Sequence, residues 1–359
     1  MKLKITMHYF KNLYIFFSIL AVIIFFFSPT KVKANAFEVN NIEISKPFKI
    51  GFNKNRIIDI GFKKAFFELL NSLIRSSDLE ITNNIKLSEI KGMIQSFSIQ
   101  EEKFINEIYY VNIGVSFDRI KVFNYLEKKN IFPAQPIKEA FLFIPIIIDE
   151  NNNDIAIFSN NKIYNDWNKS KKEYQLINYV LATEDLEDLN IIKSKYDFIE
   201  NYNFKEITDK YFLKNSIVAL IFKDNQDVRI LSRMTINKKV FIKNKSLLSL
   251  DLNNENQILP LIEELKITYE DLWKEYNQIN TSIKLPLTIR IDNNDSEKLL
   301  MFEATLEKMY LVNNYFIQKF NKNYIYYKII FNGTPKTFIE TMNKKKYKID
   351  TQKKIWILK

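Results

Sequence analysis

Residues Leu13–Phe27 form one uncharged, strongly apolar run. Lys2, Lys4 and Lys11 precede it, and Ser28-Pro29 and a polar tail ending Ala34-Asn35-Ala36 follow. A positive start, a short apolar stretch and small residues before a cut point are the order of a secretory signal. The remainder of the chain is therefore expected to fold outside the cytoplasm. The run is fifteen residues long, short of the roughly 20 that a spanning helix needs. Ala34 and Ala36 mark the expected cleavage, which leaves Phe37 as the mature N-terminus. The bulky Phe25-Phe26-Phe27 end leaves an uncleaved membrane anchor as the alternative.

Several absences narrow the chemistry. There is no cysteine, so the chain has no disulfide, thiol nucleophile or thiolate metal site, and no lipid-modified N-terminal Cys. The single histidine is His8, inside the leader. Residues 37–359 thus offer no imidazole for base catalysis, a Ser-His-Asp relay, or zinc or iron coordination. The five glycines (51, 61, 92, 114 and 333) write neither a dinucleotide loop nor a phosphate loop. No catalytic residue, cofactor or metal is expected, and no small-molecule substrate is indicated.

Charge narrows the partners. The formal charge of +11 falls to about +6 once the leader's five lysines are set aside, with 48 basic and 42 acidic residues remaining. So even a mixture falls short of a nucleic-acid footprint and fits general attraction to an anionic envelope, with membrane proximity. With 47% hydrophobic and 14% aromatic residues the chain can bury a substantial core. The 323 residues after the leader suggest two or three domains.

Periodicity divides residues 37–359 into three α+β modules. In the first, 37–135, Phe37–Ser45 alternates as a strand with a slip near Asn40-Asn41. A helix starts near Asn53 or Asn55. Its stripe is Ile57, Ile58, Phe62, Ala65, Phe66, Leu69, Leu70 and Leu73. Leu87–Ile94 is a short helix, Phe97–Phe104 and Ile108–Phe117 are facing strands, and Ile120–Lys129 is a closing helix. Pro133 and Pro136 mark a linker. The second, 138–280, opens on Phe141–Ile148, an apolar run suited to a central strand, although Pro145 argues for an edge or a bulge. Trp167 falls in a short helix, Leu176–Leu181 is a strand and Phe204–Tyr211 a helix. Ser216–Phe222, Val228–Met234 and Lys239–Ile242 are further strands. The long helix Gln257–Gln278 has Leu261, Leu265, Tyr269, Leu272, Trp273 and Tyr276 on its apolar face. The third, 282–359, has a strand at Leu285–Ile291 and a helix capped by Ser296 that runs to about Leu311. A hairpin of Tyr315–Phe320 and Tyr324–Phe331 follows. A helix starting at Thr334-Pro335 and a last strand at Ile355–Leu358 complete the β-α-β-β-α-β order of a ferredoxin-like unit.

The Ala65-Phe66-x-x-Leu69-Leu70-x-x-Leu73 stripe, the paired strands SFSIQEEKFINEIYYVNIGVSFD and the buried run FLFIPIII stand in that order. Together they resemble the uncharacterised proteobacterial family called domain of unknown function 2066. The stretch around Trp167 and the long helix before Leu285 are similar too, so the likeness covers most of Phe37–Lys359. That family has no established activity or catalytic residues, so the resemblance implies an envelope protein and assigns no site. The helix and hairpin of the first module also look like small envelope-assembly domains of Gram-negative flagellar and lipoprotein accessory factors, by fold-level analogy alone.

Four groups of residues merit attention. Asp149, Asn151, Asn153 and Asp154 alternate like the start of a calcium loop, but Asp154 stands where Gly is needed and Asn160 where Glu is needed. A hairpin turn explains them better. Glu184, Asp185, Glu187 and Asp188 offer carboxylates for Mg²⁺ or acid-base work. A solvated first helical turn explains them equally well. Tyr324, Tyr326 and Lys328 share one strand face, opposite the more aliphatic Ile325, Tyr327, Ile329 and Phe331. They form the candidate interaction surface for a protein or glycan, or otherwise are ordinary exposed sheet tyrosines. Lys344, Lys345, Lys346, Lys348, Lys353 and Lys354 make a basic patch suited to an anionic polymer or lipid, or to the dipole of the helix they follow.

The expectation is an exported, periplasmic, non-enzymatic accessory protein whose partner is an envelope protein or a cell-wall component. A carboxylate-dependent hydrolase is the competing reading, since two carboxylates can cleave a glycosidic bond. In a third, the same modules hang from a retained inner-membrane anchor.

Overall fold

The computed structural model describes residues 36–225 and 227–359. The leader, with His8 and Ala34, lies outside the described residues, and Ala36 is the first described. The fold is α+β, with three sheets following one another along the chain.

The first sheet has the order β1-β3-β2, built from β1 (Glu38–Pro47), β2 (Ile94–Ile105) and β3 (Ile108–Phe117). Asn106 and Glu107 join β2 to β3 with φ of 51° and 58°, the left-handed pair that matches strand twist in a two-residue hairpin. The expected slip in β1 is a register shift between Val39 and Ile42. Helix α1 (Lys54–Leu73) is capped by Asn53 and buries all eight residues of its stripe on this sheet. Each of its buried Ile, Leu and Phe side chains contributes about 1.5–3 kcal/mol. Gly61 lets helix and sheet touch, because a Cβ there would stand 2.5 Å from Ile113 Cδ1 and 2.8 Å from Ile44 Cδ1. Three short helices, α2 (Ser76–Thr82), α3 (Leu87–Met93) and α4 (Arg119–Lys128), complete this part.

The second sheet is built on β4 (Glu139–Asp149) and β7 (Asn215–Asp224), paired in parallel, with β8 (Asp227–Ile236) and β9 (Lys239–Leu247) antiparallel beyond β7. On its other side β4 has two part-length neighbours. The strand β6 (Ile177–Leu181) runs parallel to residues 139–143, and β5 (Asp154–Ala156) runs antiparallel to residues 147–149. Pro145 falls between them. The residue expected to push this strand to an edge therefore sits inside a central strand, at the gap where no ladder partner needs its missing N–H. Asn161, fully buried, fills the gap and donates to the Pro145 carbonyl at 3.0 Å.

Both faces of this sheet are covered. Phe141, Phe143, Ile217, Ala219 and Ile221 pack under helices α5 (Lys162–Asp166) and α8 (Glu255–Tyr276). Leu142, Ile144, Ile146, Val218 and Leu220 pack under α6 (Leu186–Ser194) and α7 (Lys205–Thr208). The near-continuous apolar run of β4 is what a strand buried on two faces requires.

The third sheet runs β11-β12-β10-β14-β13, from β10 (Leu285–Asp292), β11 (Val312–Phe320), β12 (Tyr324–Phe331), β13 (Ile349–Asp350) and β14 (Trp356–Leu358). Its β10–β14 pair is parallel and the other pairs antiparallel, so the sheet departs from the all-antiparallel ferredoxin-like arrangement expected: β13 turns back at the edge and β14 takes the place beside β10. Helices α9 (Ser296–Glu307) and α10 (Pro335–Lys344) cover one face through Phe302 and Phe338. The α9 cap is Asp295, which accepts from Lys298 N at 2.9 Å, rather than Ser296, and the helix stops at Glu307, short of Leu311. An ionised carboxylate at that position accepts the amide and also meets the positive helix end.

The stretch expected as a linker is held on two sides. Ala134 N donates to Leu73 O at 2.6 Å, Gln135 N to Asn277 O at 2.9 Å, and Ile279 N to Pro133 O at 2.7 Å. Arg119 joins α4 to the third sheet by donating to the carbonyls of Met309, Tyr310 and Val312 at 2.7–3.2 Å.

Candidate functional site

The outer face of the third sheet, turned away from α9 and α10, is organised by strand register. Arg290 of β10 stands opposite Tyr326 of β12, and Tyr326 opposite Lys319 of β11. The next row is Thr288, Lys328 and Phe316; the previous one holds Asp292 and Tyr324. Ile357 of β14 flanks Arg290 on its other side. The Arg290 guanidinium lies 4.3 Å from the Tyr324 ring centroid, and Lys319 Nζ 4.4 Å from that of Tyr326. Such contacts hold a cation over the ring's negative face.

Sequence places Tyr324, Tyr326 and Lys328 on one face, and the structure keeps them together. They are less open than expected: Tyr326 is 9% exposed, and Tyr324 and Lys328 are half-buried. Two members of the site went unrecognised. Arg290 was legible, since Thr288, Arg290 and Asp292 alternate against Leu287, Ile289 and Ile291. Lys319 was not, because it reaches this face through a register shift between Ile317 and Lys319.

These cations lack carboxylate partners. Among the described residues Arg290, Lys319 and Lys328 form no ion pair, and Arg290 Nε is buried without an acceptor. Elsewhere, by contrast, Arg75 and Arg229 pair with Asp78 and Glu200. Arg119 and Arg233 donate to backbone carbonyls. The arrangement presents fixed, uncompensated positive charge beside aromatic rings.

A second polar region lies along α8. Lys266, Glu270 and Lys274, spaced by four residues, are all buried and adjoin the apolar stripe of Leu265, Tyr269 and Trp273. Lys266 donates to the Ser170 carbonyl and lies 5.5 Å from the Trp167 ring centroid. Glu270 accepts from the amides of Leu176 and Ile177. Lys274 is 3.7 Å from Asp271. This stripe fixes the segment entering β6. Its signal in the sequence was the four-residue spacing of charges beside an apolar stripe, which a search for apolar periodicity passes over.

Beside it is a cavity of about 310 Å³, lined by Asp166, Ser170, Lys172, Leu259, Pro260, Ile262 and Glu263. Two carboxylates therefore share one depression, as a hydrolase requires. Glu263, however, is bonded to Lys172 at 2.6 Å and to the Ser170 hydroxyl. Burial opposes its ionisation, yet those partners prevail and hold its carboxyl below the usual range. Asp166 is paired with Lys169 at 2.7 Å. Glu263 therefore lacks the raised affinity for a proton that a general acid needs.

The other candidates occupy structural roles. Asp149 accepts from the amides of Asn151 and Asn152 at 3.1 Å and pairs with Lys223, while Asp154 pairs with Lys193. This is a hairpin turn whose carboxylates face lysines. Asp185 caps α6, with Glu187 and Asp188 in its first turn. That turn is not wholly solvated: Asp188 is 1% exposed and bonded to Lys210 at 2.7 Å. Glu184 accepts from Ser159 N at 2.9 Å. Lys344 and Lys345 end α10, and Lys346, Lys348, Lys353 and Lys354 are exposed. Among the described residues no cluster of His, Cys, Asp or Glu is arranged to hold a metal ion, and no helix is long and apolar enough to cross a membrane.

No family model and no curated protein matches the chain. Among solved structures, the lipoprotein GNA1162 of Neisseria meningitidis shares 8% identity over 36% of this chain and 95% of its own, at a TM-score of 0.23. An uncharacterised protein shares 6% over 39% and 92%, at 0.16. Similarity at that level assigns neither fold nor function.

Proposed function

We propose that this chain is an exported envelope protein that acts by binding, with the outer face of its third sheet as the contact surface. One observation carries the reading: Arg290 and Lys319 are held on tyrosine rings, with Lys328 beside them, and among the described residues no carboxylate pairs with them. The leader pattern supplies the compartment, and the lack of His and Cys after residue 36 favours contact over catalysis. Kinship with the domain of unknown function 2066 family belongs to the same proposal, as does removal of the leader after Ala36. N-terminal sequencing checks the last point: a start at Phe37 supports cleavage, and a retained Leu13–Phe27 run supports the anchor.

Amine-reactive labelling tests the binding face. In intact cells Lys319 and Lys328 are expected to label far less than in the purified chain, while exposed Lys63 labels equally in both. Equal labelling of all three lysines counts against the proposal.

A further inference from the structure

We infer that the outer face of the third sheet takes an acidic polysaccharide, whose carboxylates meet Arg290, Lys319 and Lys328 around Tyr326. The inference rests on the binding role proposed above and names the chemistry of the partner. Charge complementarity comes first. Three cations occupy two adjacent rows of one sheet face, with the exposed Asp292 at its corner, and none has a protein counter-ion among the described residues. Their placement is built in. A ring beneath Arg290 and another beneath Lys319 restrict both side chains before any partner arrives, so little further ordering is needed on binding.

Geometry selects among anions. Arg290 and Lys319 flank Tyr326 on successive strands, so their attachment points lie about 10 Å apart, two strand spacings. A short run of acidic sugars bridges that span. Phe316 adds an exposed ring beside Lys328, and Thr288 a hydroxyl on its other side. Flat rings next to cations and a hydroxyl suit a sugar that stacks by its C–H face and hydrogen-bonds by its rim. Arg290 and Lys328 are half-buried within the sheet. A single extended chain reaches them more easily than a planar lipid surface does.

The test uses the purified full chain with polygalacturonate as the probe. Neutral dextran, polyglutamate, phosphatidylglycerol vesicles and single-stranded DNA serve as comparisons. Polygalacturonate is expected to bind and to weaken steeply with salt. Arg290→Gln and Lys328→Gln should each weaken binding about tenfold without moving the thermal midpoint. Lys319→Gln, at an exposed position, gives a third variant, one safe for folding. Equal binding of dextran, or unchanged binding in all three variants, overturns the inference. Tighter binding of polyglutamate, vesicles or DNA also overturns it and leaves the binding role standing. No binding of polygalacturonate, with Lys319 and Lys328 still protected in cells, sinks the polysaccharide alone. The same result with both lysines fully labelled in cells sinks the binding role as well.

Discussion

Glu270 of α8 accepts from the Ile177 amide at 2.9 Å, and both of its oxygens lie 3.1 Å from the Leu176 amide. One buried carboxylate thereby fixes the start of β6. Burial pushes the Glu270 carboxyl up and the neighbouring Lys274 ammonium down, each toward its neutral form. Folded Glu270 holds its proton more tightly than the unfolded chain does. Its contribution to stability is therefore full below the ordinary value of 4.5 and is lost as pH rises through the folded value. Urea unfolding from pH 4 to pH 8 should show this decline, and Glu270→Gln should flatten it. An unchanged slope in the variant would contradict the assignment.

Asn161 performs two tasks at the gap in β4's partner strands. Its Oδ1 accepts from Ile163 N at 2.9 Å and caps α5, while its Nδ2 donates to Pro145 O. Asn161→Asp keeps the acceptor and loses the donor, setting a carboxylate against a buried carbonyl. A loss of about 1–3 kcal/mol is expected in denaturant unfolding, and Asn161→Ser should lose less than Asn161→Asp.

Gly114 of β3 lies beneath a side-chain bridge across the first sheet. Asn40 and Gln100, at the irregularities of β1 and β2, bond at 2.7 Å. A Cβ on Gly114 would stand 2.5 Å from Asn40 Oδ1 and 2.9 Å from Gln100 Nε2. Gly114→Ala should cost about 0.5–1.5 kcal/mol, the value of one hydrogen bond. In an Asn40→Ala/Gln100→Ala background the same change should cost close to nothing, and thermal melts of the four proteins measure the difference.

Phe37, the residue after the expected cleavage point, is 2% exposed and lies edge-on to Phe123 at 5.5 Å. Its ring also faces Tyr310, whose neighbouring carbonyls hold Arg119. Phe37→Ala should cost about 3–5 kcal/mol, seen as a lower urea midpoint. A cost under about 1 kcal/mol would mean that this ring is not part of the core.

Much of the architecture was legible because period and burial coincide. The eight-residue stripe of α1, the alternation of β3 and the hairpin of β11 and β12 all follow from local patterns, whereas the two-residue β13, which sets β14 parallel to β10, carries no pattern of its own. What escaped depends on partners distant in sequence. Helix α2 carries no clean stripe; Asp271 of α8 holds its first residue, accepting from Ser76 N at 2.9 Å. Asp188 looked solvated because Lys210, which covers it, comes from beyond α7. Pro145 argued for an edge because one strand's sequence does not reveal that its neighbour is split in two. At the candidate site, alternation gave the face, but the cover over Tyr326 comes from Lys319 through an irregular pairing.

The most direct measurement is photo-crosslinking in intact cells from a reactive amino acid at position 328, with position 63 on α1 as control. The account predicts a reproducible crosslinked species from position 328, sensitive to Arg290→Gln, and none from position 63. No crosslink at position 328, or an equal pattern at both positions, would contradict a binding role for the third sheet.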